Sequence, residues 1–225
     1  MNSTTVCIEV LSAKTTMQGE REVTTGQCNV AHYDYQFKEN KTVTINYTVS
    51  NGIQKRFKKG FICVATGVFV SRSFKDENGE YDPVPYMHLT ILSMIETKKL
   101  EVYSVVSQVG RVVLPPDENI KTFATGKYLA ENTIAINYGK DAQGNSLANF
   151  YRIKVWNKQA DVFCNYVKQG YEVGVTGKLD FEVFQNKAGE TVIKPIVTAD
   201  SITLLNNRGV GQGKTTETQA ELVTA

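Results

Sequence analysis

Phe150, Arg152, Lys154 and Trp156 occupy alternate positions of one short run, 150–156. In an extended strand alternate side chains share a face. The opposite face then carries Tyr151, Ile153 and Val155, an ordinary core set. Two rings alternating with two cations on a solvent face gain little from packing. They suit a single nucleic-acid strand, because bases stack on the rings while cations meet phosphates. Such stacking is worth ~1–3 kcal/mol per base and needs no particular base sequence. Phe184 lies on the outward set of the next long strand, whose core set is Tyr171, Val173, Val175, Leu179 and Phe181. It sits beside a turn, Asn186–Gly189, that also carries Lys187. Each ring has a packing alternative: Trp156 over a helix end at Lys158, Phe184 in a barrel mouth, Phe150 at a sheet edge.

Other chemistries find little to work with. The sequence has no Gly-rich phosphate loop, no HExxH and no nucleophile elbow, and its two histidines, His32 and His88, are far apart. No enzyme and no cofactor is expected. The four cysteines, Cys7, Cys28, Cys63 and Cys164, form no CxxC pair, so neither zinc nor a disulfide framework is expected. Cys63 and Cys164 sit in apolar patterns and read as buried free thiols of a reducing compartment. No apolar run approaches the ~18 residues of a membrane helix, and the N-terminus does not resemble a signal peptide. A cytoplasmic protein without a membrane partner is expected. Charge is nearly balanced, 25 Lys and Arg against 23 Asp and Glu. A nucleic-acid site must therefore be local.

The elements that hold these side chains are legible in the second half. Val102–Leu114 is β-rich and ends at Pro115-Pro116. Ala130–Tyr138 and Asn149–Trp156 flank the polar loop Gly139–Ala148, as in a long hairpin. Lys158–Lys168 carries Ala160, Phe163, Cys164 and Val167 at helical spacing, and Gly170 stops it. Tyr171–Gln185 and Val192–Leu205 are the last two strands. Three strands, a helix and two strands is the order of a five-stranded OB barrel.

A second copy of this unit precedes it. Lys58–Glu80 aligns with Lys168–Glu190 without a gap at an offset of 110, with seven identities in 23 positions: Lys58/168, Gly60/170, Thr66/176, Gly67/177, Phe74/184, Gly79/189 and Glu80/190. Unrelated segments would share about one or two. Thr25-Gly26 matches Thr125-Gly126 at an offset of 100. The fold class expected is all-β, two tandem OB barrels with a short helix each: residues 1–100, residues 101–205, and a disordered tail, 206–225.

The stretch from Gly110-Arg111 to Leu205 resembles the bacterial single-stranded DNA-binding protein family. The shared features are Gly110-Arg111, Thr125-Gly126, Phe150/Arg152/Trp156, Ala160-Asp161, Lys168/Gly170 and Val175/Gly177/Leu179. The resemblance implies an OB fold, sequence-tolerant binding of single-stranded DNA in replication, recombination or repair, and stacking at Phe150, Trp156 and Phe184. It also implies assemblies of four OB folds, which a homodimer of two-fold chains would supply. Family members usually end in an acidic tip closing with Pro-Phe. Residues 220–225 carry no acidic run, which puts partner recruitment through such a tip in doubt.

The first copy differs on the face that matters. At the offset of 110, the positions of Phe150, Arg152, Lys154 and Trp156 hold Asn40, Thr42, Thr44 and Asn46. Its next strand is apolar on both sides, with Ile62, Val64, Val68 and Val70 opposite Phe61, Cys63, Ala65 and Phe69. This points to an assembly domain. Tyr33, Tyr35 and Phe37 read as core, and the basic run Lys55–Lys59 as a solvated helix end. Phe74, the counterpart of Phe184, is a further contact candidate, and so is Arg111. Two other readings stand beside DNA binding: a protein-interaction module of a replication complex, and single-stranded RNA binding.

Overall fold

The computed structural model describes residues 2–34, 37–50, 52–72, 82, 84–116, 120–140, 146–187 and 189–205. The chain forms two compact units. One is Val106–Lys178 with the chain from Ile196; the other is Asn2–Val105 with Leu179–Pro195. The first of these holds β9 (Tyr128–Lys140), β10 (Ser146–Trp156) and parts of β7 (Ser104–Val112), β11 (Glu172–Gln185) and β12 (Thr191–Leu204), five strands that close on themselves. The circuit runs β7, β9, β10, β12, β11 and back to β7, with β10 and β12 parallel. That is the five-stranded barrel expected from the strand order. A short strand, β8 (Ile120–Thr122), adds to the edge of β9, and α1 (Asn157–Tyr166) follows β10 directly.

Inside, the period-two pattern holds. Tyr151, Ile153 and Val155 of β10 are buried, as are Ile134 of β9 and Val173 and Val175 of β11. Each such side chain contributes ~1.5–3 kcal/mol on leaving water. Ala160 and Phe163 of α1 are wholly buried, so the helix caps the barrel through one stripe.

The N-terminal unit repeats the circuit with β1 (Ser3–Val10), β3 (Arg21–Asp34), β4 (Glu39–Val49), β6 (Tyr86–Glu96) and β5 (Ile62–Arg72). β2 (Lys14–Gln18) adds to the edge of β3, as β8 does to β9. The duplication extends to single hydrogen bonds. Gly60 N–H donates to Val10 O at 2.8 Å and Gly170 N–H to Val112 O at 2.8 Å. Both glycines have left-handed φ, 82° and 84°. Gly67 and Gly177 also match: a Cβ would lie 2.0 Å from Thr90 O at the first and 2.1 Å from Thr198 O at the second. Only glycine lets these backbones approach so closely.

The ladders correct the alignment upstream. Val10 pairs with Cys28 and Cys28 with Ile45, whereas Val112 pairs with Ile134 and Ile134 with Tyr151. The offset is 102 at the first strand and 106 at the next two, not 100 or 110. Thr25-Gly26 lies within β3, whereas Thr125-Gly126 forms the turn before β9. The short segments between repeats differ in length, and two-residue coincidences cannot anchor a register.

Other expectations also change. The first unit has only a 3-10 turn, Gln54–Arg56, where the second has α1. It does end in exposed Lys55 and Arg56 around buried Phe57. The core position on β3 is His32, wholly enclosed, while Phe37 is 61% exposed with Lys41 Nζ 3.9 Å above its ring. Tyr35 lies outside the described residues. Ile62, Val64, Val68 and Val70 are half-buried, so β5 is fully packed on one side only. Cys7, Cys28 and Cys63 are buried free thiols, but Cys164 is partly open, its thiol donating to Pro116 O at 3.3 Å. Phe74, part of the loop Gly139–Ala148 and the tail 206–225 fall outside the described residues.

Candidate nucleic-acid interface

The outward face of the second barrel is built from three neighbouring strands. Phe150 on β10 stands opposite Ala135 on β9, and Ala135 stands opposite Arg111 on β7. Side chains directly opposite in a ladder lie about 5 Å apart. The row therefore places an exposed ring and an exposed guanidinium on one face, separated by a methyl group. Phe150 keeps 55% of its surface exposed, although the strand beneath it is fully buried on its other side. The next rows pair Arg152 with Thr133 and Lys154 with Glu131. Phe150, Arg152, Lys154 and Trp156 thus share the face that their alternation predicts, and the ladder adds Arg111 to it.

Trp156 closes the series, but it has company. The ring of Phe123 stacks on it with centroids 5.6 Å apart and planes at 29°. Phe123 opens a tight turn: Gly126 N–H donates to Phe123 O and Phe123 N–H to Lys127 O, at 2.9 and 2.8 Å. Gly126, at φ 75°, makes that turn possible. Its backbone geometry delivers Phe123 to the indole and leaves the ring 42% exposed. Asn157, at φ 49°, accepts the Tyr128 N–H through Oδ1 and ties the start of β9 to the start of α1. Trp156 therefore packs on a ring from the turn between β8 and β9.

Three cations converge on one carboxylate beside this ring pair. Glu131 Oε2 accepts from Lys121 Nζ at 2.5 Å, and Oε1 lies 3.6 Å from an Arg152 guanidinium nitrogen and 3.8 Å from Lys154 Nζ. Lys121 projects from β8, so the edge strand extends the basic surface past β9. Neither Phe123, Lys121 nor Glu131 was expected from the sequence. Lys121 lies in a strand too short to show periodicity, Phe123 follows it, and no neighbouring residue pattern marks Glu131.

Phe184 and Lys187 belong to the other compact unit. There Phe184 is exposed and Lys194 Nζ lies 5.1 Å from its ring centroid. The adjoining turn is tightly made: Asn186 Oδ1 accepts from Glu190 N–H and Asn186 Nδ2 donates to Glu190 Oε2, both at 2.9 Å, with Gly189 at φ 82°. Lys187 is exposed at its tip. Phe184 and Phe150 are both exposed.

The matching face of the N-terminal barrel carries Thr44, Asn46, Thr48 and Ser50 at the ladder-derived positions of Phe150, Arg152, Lys154 and Trp156. Gln27 and Asn29 stand opposite Asn46 and Thr44, and the Thr44 hydroxyl donates to Asn29 Oδ1 at 3.0 Å. It is a face of amides and hydroxyls. Among the described residues no group of three or more His, Cys, Asp or Glu could hold a metal ion. No helix among them is long and apolar enough to cross a membrane.

Residues 104–205 match the Single-strand binding protein family. Among individual proteins, the chain is 34% identical over 107 residues to the single-stranded DNA-binding protein of Oceanobacillus iheyensis, covering 47% of this chain and 65% of that one. It is 31% identical over 106 residues to single-stranded DNA-binding protein 1 of Nostoc sp., covering 47% and 85%. For the Streptococcus mutans relative the identity is 29%, and the chain spans 64% of its length. The fold matches the wild-type single-stranded DNA binding protein of Thermus aquaticus with a TM-score of 0.57 at 13% identity, over 95% of this chain and 97% of that one. The likeness in fold therefore spans both barrels, whereas the family match lies in the second. This chain belongs to the single-strand binding protein family.

Proposed function

We propose that this protein binds single-stranded DNA without regard to base sequence, and that it holds the strand passively on the outer face of its second barrel. The observation that carries this reading is the row structure of β10. Rings at Phe150 and Trp156 alternate with cations at Arg152 and Lys154, and Arg111 stands across from Phe150. Bases stack on the rings and phosphates meet the cations, so affinity is spread along the strand and is indifferent to sequence. Phe123 extends the Trp156 platform, and Phe184 with Lys194 and Lys187 offers a further ring-and-cation station. Exposed strands would be kept open and protected in replication, recombination or repair, in a cytoplasmic, nucleoid-associated setting.

Titration of the full chain with oligo-dT, and separately with duplex DNA, tests this through Trp156, the one tryptophan of the chain. The expected result is quenching by the single strand alone, with affinity falling by a log–log salt slope of ~0.7 per phosphate neutralised. No response to oligo-dT would refute it. Oligo-dT and oligo-U compared side by side set the DNA preference against RNA.

For the N-terminal barrel we propose an assembly role, with two chains supplying four barrels. Its equivalent face lacks rings and cations, while Leu92 and Ile95 of β6 remain exposed, Ile95 by 75%. Sedimentation of chains carrying Val68→Glu and Val70→Glu is the test. Dissociation to a monomer is expected, and an unchanged oligomeric state would refute the role.

A further inference from the structure

Glu131 occupies an unusual place for an acid. It stands directly opposite Lys154 in the β9–β10 ladder, on the face proposed for DNA, with its side chain 15% exposed. Its two oxygens are shared among Lys121, Arg152 and Lys154, at 2.5, 3.6 and 3.8 Å. A carboxylate held among three cations has the charge and hydrogen-bonding pattern of a bound phosphate oxygen pair. Nothing in the fold requires an acid there. The neighbouring outward positions on β9 are Thr133 and Ala135, and neither carries charge.

We propose that Glu131 is a built-in competitor for the phosphate position. In the free protein its carboxylate gathers the three cations and partly neutralises them. An incoming phosphate must take over these contacts, and the carboxylate must withdraw or share. The inference rests on the reading of this face as the DNA site and adds a regulator to it. Glu131 lowers affinity for the strand and reduces the number of phosphates that the cations neutralise, and with it the counterions that the strand releases on binding. Glu131 offsets one positive charge of this cluster. A strand-binding protein so tuned releases DNA more readily, which suits a coating that enzymes must displace.

The test uses the full chain, a fluorescently end-labelled oligo-dT and anisotropy at several salt concentrations, for wild type and Glu131→Gln. Glutamine keeps the shape and an acceptor oxygen for Lys121 but removes the charge. The expected result is roughly three- to tenfold tighter binding at low salt, the scale of one to a few partly exposed ion pairs. The salt slope should steepen by up to ~0.7. The gain should shrink as salt rises, because screening weakens the competitor and the phosphate alike. Equal or weaker binding by Glu131→Gln would overturn the proposal and make Glu131 a positioning residue that orients the cations. A wild-type chain that fails to bind oligo-dT would instead overturn the site reading, and this inference with it. A thermal melt checks that the variant folds, and Glu131→Thr, suited to a strand, is the second variant if the first melts early.

Discussion

Replacing Phe150 by Ala removes a ring that keeps 55% of its surface exposed. Little buried area is lost, so the cost in folding stability should stay within ~0.5 kcal/mol. For a chain of this size that shifts Tm by no more than about 2 °C. Binding should respond on another scale. One base stacked on a ring is worth ~1–3 kcal/mol, and each ~1.4 kcal/mol is a factor of ten. Phe150→Ala should therefore bind oligo-dT roughly five- to 150-fold more weakly. Arg111, opposite Ala135 in the same row, is untouched. The salt slope should then hold its wild-type value, because no phosphate contact is removed. Trp156 reports the titration, which is repeated with oligo-dA and a mixed sequence. Thr44→Ala, at the matching position of the N-terminal barrel, is the control and should bind as wild type. Loss confined to one base sequence would refute a stacking platform. Unchanged affinity on all three would refute the role of the ring. A fall in Tm beyond about 4 °C would make Phe150 a packing residue after all.

Phe123→Ala should uncover one face of the indole, giving a red shift of Trp156 emission and stronger acrylamide quenching; an unaltered spectrum would contradict the stacked pair. Gly67→Ala and Gly177→Ala should each destabilise by several kcal/mol, because the added Cβ meets backbone oxygen at 2.0 and 2.1 Å. Urea unfolding checks this, and a cost below ~1 kcal/mol at either site would deny the equivalence of the two crossings. Alkaline stability has a definite sign. Burial, and then the nearby Cys7, push the Cys63 thiol from an ordinary 9.0 up to about 12, and burial raises Cys28 as well. Above pH 9 the unfolded chain gives up these protons while the folded chain keeps them. The stabilisation is therefore complete below about pH 9 and lost as pH rises toward 12. Denaturant midpoints measured from pH 8 to 10.5 should fall, and Cys63→Ser should flatten the fall.

The barrel around the candidate site was legible because its signals are local. Alternation in 150–156, the helical spacing of Ala160 and Phe163, and Gly170 at the stop each report on neighbours in the chain. The offset of 110 between copies rests on a stretch of 23 positions, and the paired bonds of Gly60 and Gly170 match it. What escaped depends on contacts distant in sequence. Phe123 meets Trp156 from 33 residues away, through a turn whose destination no periodicity reveals. Glu131 gathers its cations from two strands, β8 and β10. His32 was passed over as a core residue because its type argues against burial, while the rings beside it argue for it. On β3 the ladder decided the faces and the hydrophobicity of single residues did not.

The two barrels also separate what the fold demands from what it permits. They share features that backbone geometry cannot relinquish: the left-handed Gly60 and Gly170, the close crossings at Gly67 and Gly177, and the bonds that close each circuit. A side chain at the crossings would force backbone to move, and one at the left-handed glycines would strain φ, so each substitution costs about a kcal/mol or more. The outward positions of β4 and β10 carry no such penalty, since exposed substitutions typically change stability by less than ~0.5 kcal/mol. The N-terminal barrel demonstrates this directly, for it folds with Thr44, Asn46 and Thr48 where the second carries Phe150, Arg152 and Lys154. Rings and cations on β10 are therefore not a requirement of the barrel. Exposed rings carry a cost in solubility that amides and hydroxyls avoid. That one face bears this cost while its twin does not supports the proposed site, because the alternation of ring and cation fits a ligand with alternating base and phosphate.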